Sequence, residues 1–202
     1  MKLLTKLKIL IFLAITAVVV FFPKNMFDYI ISDMFYSLFG ETFFKYFFKA
    51  ISYILHDKIL LLIMGILGLF LFYIKEYRKS ILILSTAFFG ASITLILKEV
   101  VGRVRPLAEE FSGGSFPSGH STVVVLFFMS LLYVINKKSK LKIIAAISII
   151  LIPISRLSIG AHYPTDVLGG LLLGSIVVDL MIVYNEIFYK IFKKVSGLNE
   201  KK

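Results

Sequence analysis

Residues 155–166, SRLSIGAHYPTD, place one arginine, one histidine and one carboxylate between two strongly apolar runs at residues 143–154 and 167–184. Charge at the end of such runs is costly unless it is paired or used. Arg156 can hold an anion through its planar guanidinium, and a neutral His162 can attack an electrophile if another group fixes its tautomer. Pro164 suits the first turn of a helix, which sets His162 just before that helix and Asp166 just inside it, within reach of each other. The same residues also fit a plainer arrangement, in which Arg156 and Asp166 cap two membrane helices and His162 is a satisfied interfacial side chain.

Working outward, the composition settles the class. The 202 residues are 58% hydrophobic and 17% charged, with a mean hydropathy of +0.91. A soluble core has no use for that much apolar surface, and apolar runs recur along the whole length, so the expectation is an all-α, polytopic membrane protein forming one domain over residues 1–202. The formal net charge of +11 would suggest a nucleic-acid partner in a soluble protein. Here Lys and Arg gather in alternate loops, so the charge records topology, no nucleic acid is expected, and the lipid bilayer is the partner. The absence of Cys excludes disulfides and thiolate metal sites.

Six spans are predicted. Residues 1–8 are basic and 9–22 apolar; without an A-x-A cleavage site after Phe22 this reads as a retained first span rather than a signal peptide. Residues 59–74, 81–97, 120–135, 143–154 and 167–184 supply the rest, with Gly90, Ala91 and Ser92 in the third and Gly170 and Gly174 in the sixth placed for close helix contact. Between spans one and two, residues 23–57 show two apolar stripes, Phe27 to Leu38 and Phe43 to Leu55, with Asp28, Asp33, Glu41, Lys45 and Lys49 opposite. They read as short amphipathic helices in the membrane interface, either packing over the bundle or forming a ledge where a lipid tail enters. Of the 23 Lys and Arg, fifteen fall before span one, after spans two and four, and in the tail. Placing those segments inside puts both termini in the cytoplasm and leaves Lys98, Arg103, Arg105 and Arg156 on the outer face, where the positive-inside rule gives no reason for positive charge.

Three segments converge on that face. Residues 98–106 read KEVVGRVRP, residues 116–120 FPSGH, and residues 155–166 SRLSIGAHYPTD. Together they resemble the three-part signature of the type 2 phosphatidic acid phosphatase family, KxxxxxxRP, PSGH and SRxxxxxHxxxD, with every signature position matched. The resemblance implies an integral-membrane lipid phosphatase. In it Lys98, Arg105 and Arg156 would surround a phosphate, with Ser118 and Gly119 at the start of the fourth span. His162 would form a phosphohistidine and Asp166 would hold its proton on the other ring nitrogen. His120 would protonate the leaving oxygen and then activate water.

The scheme calls for no metal and no cofactor. Glu109 and Glu110 read as solvated loop charges, Arg103 as a headgroup or solvent contact, His56 beside Asp57 as structural, and Asp179 as an interior carboxylate in need of a partner. The implied substrate is a membrane lipid phosphate or diphosphate, with undecaprenyl pyrophosphate first and phosphatidylglycerophosphate or phosphatidate as the alternative. Vanadium-dependent haloperoxidases share these phosphate-binding motifs but are soluble. A lipid headgroup transporter would need polar groups near the midplane and paired interrupted helices, and neither is evident.

Overall fold

A computed structural model describes residues 2–135 and 139–197; Lys137, Lys138 and the basic tail beyond residue 197 lie outside the described residues. Among the described residues eight α-helices follow one another: α1 Leu3–Phe21, α2 Met26–Phe35, α3 Phe44–Ile54, α4 Asp57–Tyr73, α5 Tyr77–Val101, α6 Gly119–Ile135, α7 Ser139–Ser158 and α8 Pro164–Ser196. A single π-helical turn, Tyr36–Gly40, separates α2 from α3. There is no strand among the described residues. Local chemistry sets the ends. The Asn25 side chain accepts from the Asp28 N–H to cap α2, Gly102 at φ 57° closes α5, and Pro164 opens α8 as the sequence predicts.

Among the described residues, five stretches are long and apolar enough to cross a membrane: Leu3–Phe21, Phe44–Tyr73 (which takes in α3 and α4), Tyr77–Val101, Ser139–Ser158 and Pro164–Ser196. At 17 residues, α6 is the shorter apolar helix. The chain is therefore a multi-pass helical membrane bundle. Its centre is the pair α6 and α8, against which α5 packs; α4 lies on α5 and α6, α1 on α8, α7 on α6, and α3 on α7. The first eight residues of α6, Gly119 to Leu126, are all buried.

The apolar stripes of α2 and α3 lie largely outward, one of the two arrangements the sequence leaves open: Phe27, Ile30 and Met34, like Phe43, Phe44 and Phe47, are exposed, whereas Asp28, Ser32, Ser52 and, from the α3 stripe, Phe48 are buried. In a bilayer an apolar face gains nothing by turning inward, so it is the polar residues, which need partners, that face the protein. Lys8 turns into the bundle and pairs with Asp179 at 2.8 Å, with Ser175 and Thr5 completing the cluster. That contact supplies the partner Asp179 requires and fastens α1 to α8.

The close approach expected at Gly170 and Gly174 is present. A Cβ on Gly170 would lie 2.6 Å from the Ser118 carbonyl oxygen, and one on Gly174 2.6 Å from that of Thr122. Backbone oxygens of α6 cannot step aside. Gly174→Ala should lower stability by about 1–3 kcal/mol through overpacking, read as thermal unfolding in detergent, whereas Gly65→Ala, where a Cβ meets nothing within 4 Å, should melt at or above the wild-type temperature.

Candidate active site

All three signature segments meet at one end of the α6–α8 pair. The cations come from three places: Lys98 from the last turn of α5, Arg105 from the loop that follows, and Arg156 from the last turn of α7. Lys98 Nζ donates to the Gly114 carbonyl at 2.8 Å. Arg105 donates to the carbonyls of Gly113 at 3.1 Å and Ala161 at 3.1 Å. Arg156 is buried beneath the Phe111 ring, 5.7 Å from its centroid, and its Nε has no protein partner. Arg105 contacts His162, Arg156 and His120 border one opening, and Lys98 Cε lies 3.8 Å from where a Cβ on Gly119, the residue before His120, would stand.

The geometry fixes the His162 tautomer. Arg105 NH1 lies 3.2 Å from His162 Nε2. An arginine only donates, so Nε2 accepts and the proton sits on Nδ1. Nδ1 faces Asp166 Oδ2 at 3.6 Å. Burial, followed by the charges of Arg156, Arg105 and Lys98, holds the imidazole well below the ordinary histidine range, so it is neutral and keeps its Nε2 lone pair. His120, at the start of α6, shows the mirror arrangement. Its Nδ1 faces Asp57 Oδ2 at 3.6 Å, and its buried Nε2 has no protein partner.

Ser118 and Gly119 stand where the sequence puts them, opening α6. The Ser118 N–H donates to the Asp166 carbonyl at 2.9 Å and its hydroxyl accepts from Ser121 Oγ at 3.1 Å, so in this geometry Ser118 ties α6 to α8. Gly119 lets Asp57 come close: a Cβ there would lie 3.0 Å from Asp57 Oδ2. An opening of 340 Å³, bordered by Lys49, Ser52, His56, Phe111, His120 and Arg156, leads to the cluster beside α3. Glu109 and Glu110 are exposed, as expected.

Arg103 corrects the sequence reading. It is 4% exposed and makes two short ion pairs, NH1 to Asp166 Oδ1 at 2.8 Å and NH2 to Asp28 Oδ2 at 2.6 Å. Its guanidinium lies 4.2 Å from the Tyr163 ring centroid and also donates to Thr165 Oγ1 and to the Pro23 carbonyl. Asp28 in turn accepts from the Thr165 N–H and hydroxyl. The sequence missed Asp28 and Asp57 as well. Each sits in the first turn of its helix, α2 and α4 respectively, where an acidic residue is ordinary, so no local signal marks it. His56, Asp57 and His120 also bring three donor atoms within 4.8 Å of one another, a spacing that could hold a metal ion.

Three cations around a neutral histidine of fixed tautomer, at one end of a membrane helix bundle, suit the transfer of a phosphoryl group. The sequence model of the PAP2 superfamily matches residues 78–190, and the chain belongs to that superfamily as a membrane lipid phosphatase. Among curated relatives, it is 33% identical over 149 residues to phosphatidylglycerophosphatase B of Bacillus subtilis, covering 68% of this chain and 73% of that protein. It is 35% identical over 103 residues to lipid A 1-phosphatase of Rhizobium etli, covering 45% of this chain and 43% of that one. The crystal structure of a transmembrane PAP2-type phosphatidylglycerolphosphate phosphatase from Bacillus subtilis superposes with a TM-score of 0.75 at 27% identity, covering 90% of this chain and 96% of that chain.

The two arginines of the first motif should separate in stability. Arg103→Ala leaves Asp28 and Asp166 buried without a counter-charge and should destabilise the protein by about 3–5 kcal/mol. Arg105→Ala removes a cation with carbonyl and imidazole partners and no carboxylate, and should melt near or above wild type. Equal losses in detergent unfolding would contradict the assignment of the Asp28–Arg103–Asp166 chain as the structural one.

Proposed function

We propose that the whole chain, as one domain with signature segments at residues 98–106, 116–120 and 155–166, removes the terminal phosphate from phosphatidylglycerophosphate through a phosphohistidine on His162. The observation that carries the chemistry is the fixed tautomer: a neutral His162 whose Nε2 lone pair lies among three cations while Nδ1 faces a carboxylate. In the first step Nε2 bonds to phosphorus as the bond to the alcohol oxygen breaks. The Arg105 hydrogen bond to Nε2 is exchanged for one to a phosphate oxygen, and Lys98, Arg105 and Arg156 stabilise the equatorial oxygens. Asp166 stabilises the imidazole as it becomes positive. His120 gives its Nε2 proton to the departing alcohol; in the second step it takes a proton from water, which attacks phosphorus and frees His162 and inorganic phosphate.

Support for the substrate comes from the Bacillus subtilis proteins, whose names carry phosphatidylglycerophosphate and which match most of this chain in sequence and in fold. They favour that lipid over undecaprenyl pyrophosphate, the first reading from the sequence. Six spans fit the bundle once α6, the fourth in chain order, is counted with the five longer stretches. At 1.5 Å per residue its 17 residues reach about 26 Å, and a helix enclosed by others need not meet lipid at both ends. Basic residues at Lys2, Lys6, Lys75, Arg78, Lys79, Lys190, Lys193 and Lys194 support cytoplasmic termini and an outward-facing site. The exposed apolar faces of α2 and α3 fit the interface beside the opening.

Phosphate release by the purified protein in detergent with a chelator tests the reading. Phosphatidylglycerophosphate should be hydrolysed faster than undecaprenyl pyrophosphate, phosphatidate or a soluble phosphomonoester, and His162→Ala should be inactive while melting like wild type. Arg156→Lys should lose most activity, because an ammonium cannot reproduce the planar two-point contact. Preference for undecaprenyl pyrophosphate would restore the other substrate. Activity lost to the chelator and restored by a divalent ion would place a metal at His56, Asp57 and His120 and replace the scheme.

A further inference from the structure

Asp57 lies outside all three signature segments, at the first position of α4, yet its carboxylate is built into the cluster. Oδ1 is fixed by the Lys58 N–H at 2.9 Å and lies 2.8 Å from His56 Nδ1. That leaves Oδ2 turned toward His120 Nδ1 at 3.6 Å, the same separation as between Asp166 Oδ2 and His162 Nδ1. Gly119, the residue before His120, has no side chain to keep the carboxylate out. The His56 ring stands edge-on to that of His120, with centroids 4.8 Å apart, and limits its rotation.

We infer that Asp57 is the positioning residue of the general acid, doing for His120 what Asp166 does for His162. The inference rests on the function proposed above. A leaving alkoxide needs a proton from Nε2, so His120 must be an imidazolium as the ester bond breaks. Burial, then Arg156, His56 and Arg105, all oppose a positive charge on His120, and of the groups acting on it Asp57 is the one that favours it. A carboxylate on Nδ1 stabilises the imidazolium and aims Nε2 at the leaving oxygen, as second partners of functional histidines do. The two carboxylate–histidine pairs thus divide the reaction, with Asp166 and His162 on the phosphorus side and Asp57 and His120 on the leaving-group side.

The test separates a leaving group that needs a proton from one that does not, with chelator present throughout. Phosphatidylglycerophosphate releases an alcohol; p-nitrophenyl phosphate releases a stabilised phenolate that departs unprotonated. For Asp57→Asn, kcat/KM on the lipid should fall about 10- to 100-fold, the usual cost of losing such a partner, with little change on p-nitrophenyl phosphate. Asp57→Glu should recover part of the loss. In a His120→Ala background, Asp57→Asn should bring no further loss, since its effect passes through His120. Equal losses on both substrates, additive losses in the double variant, or no loss at all would overturn the inference while leaving the phosphatase reading in place. Wild-type protein inert toward both substrates would remove that reading and this one together.

Discussion

The Asp166 carboxylate is the point from which the arrangement of this bundle follows. It is fully buried, and each oxygen has a different neighbour: Oδ1 takes Arg103, while Oδ2 accepts the Tyr163 N–H at 2.9 Å and faces His162. Its backbone carbonyl receives the Ser118 N–H, so the same residue sets the start of α6 relative to that of α8. Arg103 carries the constraint on to Asp28, and Asp28 binds Thr165, the residue before Asp166. A closed ring of charge and hydrogen bonds therefore joins α2, the loop after α5 and the first turn of α8. Asp166 Oδ2, the oxygen not paired with Arg103, is the one that faces His162 Nδ1, where a positive imidazole would need it.

What could be read in the sequence, and what could not, divides along a physical line. The helix start at Pro164 and the close approach at Gly170 and Gly174 were legible because local stereochemistry fixes them, and the meeting of Lys98, Arg105, His120, Arg156 and His162 was expected from the resemblance to the family's three-part signature. Asp28, Asp57 and the role of Arg103 were not. Arg103 finds its partners 75 and 63 residues away, and periodicity tells which residues share a face without telling what that face touches. The orientation of α2 shows the point most clearly. Its stripe was legible, but whether that stripe packs over the bundle or faces outward was left open. In a bilayer the apolar side of α2 stays outside, and the inward side belongs to Asp28 and Ser32.

Lys8 and Asp179 follow the same logic at a distance from the site. Each alone within an apolar helix would be expensive; together, with Thr5 and Ser175, they satisfy one another. This polar cluster fastens α1 to α8 within a bundle that also has a buried apolar core. Close backbone contact at the glycines of α8 sets how near α6 comes.

Arg103 and Arg105 stand two residues apart in one motif and are held in opposite ways. Arg103 has two carboxylate partners and no charge to offer a substrate. Arg105 is held by the carbonyls of Gly113, Gly114 and Ala161, and Lys98 by those of Gly114 and Ser115. A carbonyl satisfies the donor without cancelling its charge, so these cations are oriented yet remain positive, and Arg156 joins them with its Nε free of any protein partner. Had carboxylates held them, each would be more stable and the cradle would have no field left for a phosphate. The choice of neutral acceptors for Lys98 and Arg105, and of charged ones for Arg103, is what turns a run of basic residues into a structural arginine beside an anion site.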